Sequence, residues 1–119
     1  MNMDLKKLAA RLIPDSDLPS LEDCERAYPP RTLKEGAEVT RLAPSPTGFI
    51  HLGNLYSALA DERTAHTTGG VFYLRIEDTD EKRKVEGAVE SVIRSLKYFG
   101  VNFDEGAEID GENAYGPYY

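Results

Sequence analysis

Hydrophobic positions fall at helical intervals in some stretches of the chain and alternate in others, and the switches mark its elements. Leu5, Leu8, Ala9 and Leu12 share one helical face over residues 3–13. Pro14, which fixes φ and has no backbone donor, ends that helix. Ser20 followed by Asp23 has the form of a capping box, and it opens a second short helix from Leu21 to about Tyr28, stopped by Pro29 and Pro30. Val39 and Leu42 begin a short strand, which must end where Pro44, Pro46 and Gly48 force a turn. Leu52, Leu55, Tyr56 and Leu59 then recur every three or four residues up to Gly69 and Gly70, predicting a helix with a glycine stop and Tyr56 in the core. Val71–Ile76 is β-branched and aromatic and reads as a strand running into Glu77, Asp78, Thr79 and Asp80. Val85, Val89, Val92, Leu96 and Phe99 give another amphipathic helix before Gly100, and Val101–Phe103 is expected to be a third strand.

Strand, helix, strand, helix, strand is the order of βαβ units. It predicts an α/β fold with a parallel sheet, right-handed crossovers, and ligands at the carboxyl ends of the strands. Residues 1–35 read as a helical N-terminal extension and residues 36–119 as the sheet-bearing part.

Composition narrows the function. The 119 residues suit one domain, and no apolar run approaches the ~20 residues that a membrane span needs. Asp4, Lys6, Lys7 and Arg11 break the N-terminal stretch, so it does not read as a secretory signal. A single cysteine, Cys24, allows no internal disulfide and no four-cysteine metal site, which fits a reducing cytoplasm. With 14 Lys plus Arg against 21 Asp plus Glu, the net charge of -7 has the wrong sign for general nucleic-acid binding, so any RNA contact must be local. Asp104, Glu105, Glu108, Asp110 and Glu112 crowd one segment, which reads on composition as a solvated acidic tail.

The candidate chemistry lies in Arg41-Leu42-Ala43-Pro44-Ser45-Pro46-Thr47-Gly48-Phe49-Ile50-His51-Leu52-Gly53-Asn54, between the first strand and the helix after it. Two prolines and a glycine stiffen the loop. His51 and Gly53 stand where the helix begins, and its unpaired N–H groups and dipole would stabilise an anion. Gly53 would let a nucleotide approach the backbone, since a Cβ would occupy ligand space. Taken singly, His51 reads as a capping or packing residue, Glu77 to Asp80 as a solvated turn and Arg41 as a surface charge. Arg75 stays unassigned, because a strand arginine can simply pair with a nearby carboxylate.

Taken together, the loop resembles the signature of the class I aminoacyl-tRNA synthetases, in which His-Ile-Gly-His or a variant opens the first helix of a Rossmann-type fold. Ala43-Pro44-Ser45-Pro46-Thr47-Gly48, with Leu74-Arg75-Ile76-Glu77-Asp78-Thr79-Asp80, is similar to the two N-terminal hallmarks of glutamyl-tRNA synthetases. Tyr115-Gly116-Pro117-Tyr118 is similar to that family's Gly-Pro-Tyr segment. The resemblance covers about residues 39–119 and implies the N-terminal half of a Rossmann-type catalytic domain. It implies that Arg41 pairs with the side-chain carboxylate of L-glutamate, that Ser45 and Glu77 hold its α-amino end, and that Ala43 joins the pocket through its backbone. It implies that Thr47, His51, Gly53 and Asn54 face ATP, which arrives with magnesium, with Thr47 and His51 catalytic and no structural metal. Thr79, Asp80 and Arg83 would lie near the 3′ end of tRNA(Glu). Asn54 departs from the usual final histidine of the tetrad, a place where glutamyl-type members vary.

The family also uses a second half-Rossmann with a Lys-Met-Ser-Lys-Ser loop, which this sequence does not contain. The chain is therefore expected to be an N-terminal piece, with little adenylation of its own. An exposed sheet edge and apolar face in such a half would promote self-association. The alternatives are a non-catalytic nucleotide- or protein-binding module and a glutamyl-queuosine-type tRNA modification enzyme, whose clustered zinc cysteines are missing here. Glutaminyl-tRNA synthetase fits less well, because its loop usually reads Pro-Glu-Pro-Asn-Gly.

Overall fold

Three parallel strands in the order β1-β2-β3 organise the larger part of the chain: β1 (Val39–Leu42), β2 (Val71–Leu74) and β3 (Glu105–Gly106). The computed structural model describes residues 5–13, 18–47, 49–79, 85–107 and 115–119. Gly48, Asp80, Arg83, Glu108, Asp110 and Glu112 lie outside the described residues. Two compact units are present, Met1–Pro30 and Arg31–Tyr119. The first carries α1 (Leu5–Leu12) and α2 (Leu21–Ala27). At the start of α2 the Ser20–Asp23 box forms in both directions, each side chain accepting the other residue's backbone N–H at 3.1 Å. The Ser20 hydroxyl, donating to Asp23 Oδ2 at 2.7 Å, and then the Ser20 N–H hold the Asp23 carboxyl below its usual range.

In the second unit Arg41 lies opposite Tyr73, and Leu42 opposite Leu74. Glu105 lies opposite Tyr73 on the other side of β2. Alternation then sorts the side chains. Leu42, Phe72, Leu74 and Ile76 are buried, and they meet Ala58 and Ala65 of α3 (Leu52–Thr68) and Val92 and Leu96 of α4 (Ala88–Tyr98) in one core. Arg41, Tyr73, Arg75 and Glu77 alternate with these and stay half-buried or exposed, on the opposite side of the sheet. The chain stays extended past the ladder. Arg75 N–H donates to the Leu42 carbonyl and Glu77 N–H to the Pro44 carbonyl, both at 3.0 Å.

Gly69, left-handed at φ +70, caps α3, and its N–H donates to the His66 carbonyl. At Gly70, just before β2, the backbone meets Glu38, and a Cβ there would overlap the Glu38 carbonyl. Gly70→Ala is expected to cost about 3 kcal/mol or more, because backbone has to move, and urea unfolding monitored by circular dichroism reads the loss.

Several sequence expectations need correction. The third strand is Glu105–Gly106 rather than Val101–Phe103. Val101 N–H closes α4 on the Leu96 carbonyl, and Asn102 N–H donates to the buried Glu62 carboxylate, so neither is available to a ladder. Helix α4 begins at Ala88 rather than Val85, because Gly87 takes a left-handed φ of +74 as its N-cap and Val85 N–H is held by the Pro46 carbonyl. Tyr56 is 75% exposed rather than core. Helix α3 has two apolar sides, and the sheet takes the one bearing Ala58, Glu62 and Ala65, whose alanines allow a close approach. Leu52, Tyr56 and Leu59 are left outward, beside Phe99 and Val101 in an apolar groove of about 240 Å³.

The start of the acidic run is not a solvated tail. Asp104 accepts the Phe72 N–H at 2.8 Å and lies 2.9 Å from His66 Nε2. Glu105 is a half-buried member of β3.

Candidate functional site

Two small constellations form at the carboxyl ends of β1 and β2. In the first, burial alternates along the proline loop: Leu42, Pro44 and Pro46 are buried, while Arg41, Ser45 and Thr47 are exposed and Ala43 is half-buried. Prolines with no donor to satisfy suit the inward positions, and the outward ones face solvent. The loop is pinned to the segment after β2 by Glu77 N–H on the Pro44 carbonyl and Val85 N–H on the Pro46 carbonyl, 3.0 Å each. Across this seam Arg41 Nη1 donates to Glu77 Oε1 at 3.1 Å. Arg75 Nε approaches the same oxygen at 3.3 Å. The pair is partly open to solvent, with the Arg41 side chain 42% and the Glu77 side chain 32% exposed.

The second constellation is the start of α3. His51 is the N-cap, its Nδ1 accepting the Asn54 N–H at 3.4 Å while Asn54 Oδ1 accepts the His51 N–H at 3.3 Å. An acceptor at Nδ1 requires the ring hydrogen on Nε2, so the cap selects the tautomer that presents a donor on the other side of the ring. A Cβ at Gly53 would stand 3.0 Å from His51 Cε1 and Nδ1. The missing side chain therefore makes room for the imidazole, a reason that the sequence reading, concerned with ligand space, did not contain.

The structure brings Arg41 and Glu77 together, with Ala43 and Ser45 on the loop alongside, and separately groups His51, Gly53 and Asn54. No hydrogen bond or ion pair joins His51 to Arg41 or Glu77. Thr79 is exposed beyond β2. Among the described residues, no group of three or more His, Cys, Asp or Glu is placed to hold a metal ion. No helix among them is long and apolar enough to cross a membrane.

Sequence reasoning missed a third cluster, on the same side of the sheet as Arg41 and Glu77. Arg31 grips Glu105 with both arms of its guanidinium, Nε on Oε1 at 3.0 Å and Nη2 on Oε2 at 2.6 Å. It also lies 3.8 Å over the Tyr115 ring. The Tyr118 hydroxyl donates to Glu105, and the Tyr118 carbonyl accepts the Ile76 N–H at 2.9 Å. Beside the cluster is a cleft of about 360 Å³, whose lining includes Tyr73, opposite Arg41, and Arg75, which contacts Glu77. The bonded Arg31 guanidinium holds the Glu105 carboxyl below its usual range, and Glu105 in turn raises Arg31. Burial, then the bond to Glu105, pushes the Tyr118 hydroxyl up. No local pattern signals this cluster, since Arg31 and Glu105 are 74 residues apart.

A carboxyl whose pKa is lowered by folding adds stability above its unfolded value, near 4.5, and that stability is lost as pH falls through the folded value. The chain is therefore expected to lose stability below about pH 4.5 more steeply than its Arg31→Gln variant. Thermal melts of the two proteins between pH 7 and pH 3 check this, and parallel curves would sink it.

Comparison with known proteins agrees with the sequence resemblance. The family model for tRNA synthetases class I (E and Q), catalytic domain, matches residues 38–119. The chain is 62% identical over 120 residues to the glutamate–tRNA ligase of Acetivibrio thermocellus, covering 98% of this chain and 22% of that protein. It is 52% identical to the glutamate–tRNA ligase of Clostridium perfringens, again over 98% of this chain and 21% of the relative. Among solved structures, the glutamate–tRNA synthetase of Elizabethkingia anophelis superposes with a TM-score of 0.63 at 44% identity, over 69% of this chain and 16% of that one. The glutamate–tRNA ligase of Elizabethkingia meningosepticum, solved in complex with its amino acid, gives 0.62 at 45% identity, over 71% and 16%. The chain thus spans about a fifth of the length of the relatives it matches.

Proposed function

Because the chain belongs to the tRNA synthetases of class I (E and Q), catalytic domain, we propose that it builds the first half of the active site of a glutamate–tRNA ligase. That enzyme joins L-glutamate to tRNA(Glu) in the cytoplasm at the expense of ATP. The observation that carries this reading is the Arg41–Glu77 ion pair at the carboxyl ends of adjacent parallel strands. Free glutamate carries a side-chain carboxylate and an α-ammonium, the charge complements of Arg41 and Glu77. The amino acid can replace the internal pair with two pairs of its own. Arg41 takes the side-chain carboxylate through its planar fork, and Glu77, with Ser45, takes the ammonium. Ala43 contributes backbone to the same pocket.

ATP, bringing its magnesium as part of the substrate, lies over the start of α3, facing Thr47, His51, Gly53 and Asn54. Asn54 Oδ1 is already committed to the cap, so its amide NH2 is the group left for the nucleotide. As the α-carboxylate of glutamate attacks the α-phosphorus and pyrophosphate departs, negative charge builds on phosphate oxygens. His51 Nε2–H and the α3 dipole stabilise that charge. A hydroxyl of the tRNA 3′-terminal ribose then takes the acyl group from the glutamyl adenylate, the acyl–phosphate bond breaking and AMP leaving, with Thr79, Asp80 and Arg83 the residues proposed for the tRNA end. Residues 1–35 are an extension ahead of this half, whose final residues, from Arg31 on, join the sheet-bearing unit.

Glutamate-dependent ATP–pyrophosphate exchange tests the proposal. Residues 1–119 assayed as a separate polypeptide, with tRNA supplied, should give no exchange above background. Adding the remaining part of the Acetivibrio thermocellus ligase in trans should produce exchange that depends on glutamate. Exchange by the separate polypeptide near the rate of an intact ligase, or exchange in the mixture that ignores glutamate, would refute it. The separate polypeptide should also self-associate through the β1 edge and the outward face of α3, where Leu52 is 82% and Tyr56 75% exposed. Sedimentation velocity should show the oligomer growing with concentration, and a monomer at every concentration would exclude it.

A further inference from the structure

We propose that Arg75 is a positioning residue for glutamate binding, holding the Glu77 carboxylate in place while Arg41 changes partners. The inference rests on the proposed reading of the Arg41–Glu77 site and adds a residue to it. In the resting structure both arginines converge on one oxygen: Arg41 Nη1 and Arg75 Nε lie 3.1 Å and 3.3 Å from Glu77 Oε1. Among the described residues Glu77 Oε2 makes no such contact, which makes it the oxygen for an incoming ammonium.

Binding by exchange of partners carries a cost that the geometry identifies. Once Arg41 turns to the substrate's side-chain carboxylate, Glu77 would lose its cation at the moment it must be charged and correctly turned. Arg75 is not drawn away. It sits two residues before Glu77 on the same side of the extended chain, and its own N–H is fixed to the Leu42 carbonyl at 3.0 Å. Glu77 N–H is likewise fixed to the Pro44 carbonyl, so the spacing of the two side chains is set by backbone that does not have to move. As a contribution to stability this solvent-exposed contact is small. Its value is orientation, because the ammonium of glutamate then meets a carboxylate with one oxygen already engaged.

The test is a glutamate titration of the isotope-labelled 119-residue chain followed by NMR, for wild type, Arg75→Gln, Arg75→Lys and Arg41→Gln, with thermal melts confirming that each is folded. Arg75→Gln is expected to weaken glutamate binding about tenfold, and Arg75→Lys to stay within about threefold of wild type. ATP-induced shifts at His51 should be the same in wild type and both Arg75 variants. If Arg75→Gln binds glutamate as wild type does, the positioning role is wrong while the reading of the site stands. If Arg75→Gln and Arg75→Lys lose equal affinity, or ATP binding falls with glutamate binding, Arg75 acts only as general structure and the proposal is overturned. If wild type and Arg41→Gln respond alike to glutamate, the reading of the site fails and Arg75 falls with it.

Discussion

Arg41→Gln is expected to weaken glutamate binding by at least about 100-fold, the largest effect of any single substitution at the site. The substrate's side-chain carboxylate loses a charge-assisted, two-armed partner, and that loss outweighs the release of Glu77 from its internal pair. Glutamine is an informative replacement because it preserves reach and hydrogen bonding but removes the charge and the fork. Arg41→Lys should recover only part of the loss, since an ammonium cannot engage both carboxylate oxygens in one plane. Calorimetric titration with L-glutamate checks these values. A loss below about threefold for Arg41→Gln would remove Arg41 from the substrate pocket.

His51 carries the second large effect, and the structure gives the means to separate its two roles. As N-cap of α3 it contributes stability, and with Nε2–H it is the proposed donor to phosphate. His51→Ala removes both and should cost about 1 kcal/mol of stability. In the assembled enzyme it should also cost about 10² to 10³ in the rate of adenylate formation. Asparagine is among the best N-caps, so His51→Asn should restore the unfolding midpoint and leave the rate depressed. Urea unfolding and single-turnover adenylate formation measure the two effects independently. If His51→Asn recovered rate along with stability, the imidazole would be a cap and nothing more.

How much of this was legible in the sequence depended on whether a residue's partners are local. The Ser20–Asp23 box and the Gly69 stop of α3 form as read, because both are settled within a few residues by hydrogen-bond geometry and a left-handed φ. Strand β2 was legible through its β-branched and aromatic residues, although the ladder stops at Leu74 and only extended chain continues to Ile76. Strand β3 was not. Val101 to Phe103 has strand composition, but a helix closure and the buried Glu62 carboxylate claim the first two N–H groups. Tyr56 failed for a different reason: a helix with two apolar sides offers no pattern that says which one the sheet will take. At the candidate site, the contiguous motif put Arg41, Ser45, Thr47 and His51 on one stretch running from the end of β1 to the start of α3. The Arg41–Glu77 contact then follows from two parallel strands side by side. Arg31 and its grip on Glu105 could not be read, because nothing near either residue marks a partner across the length of the fold.

The most direct test of the central claim is a crystal structure of the chain with L-glutamate bound. The account predicts that the Arg41–Glu77 contact of 3.1 Å opens, with the ligand's side-chain carboxylate on the Arg41 guanidinium and its ammonium on Glu77. Glutamate seated elsewhere, for instance in the cleft beside Arg31 and Tyr118, with the Arg41–Glu77 pair still closed, would contradict it.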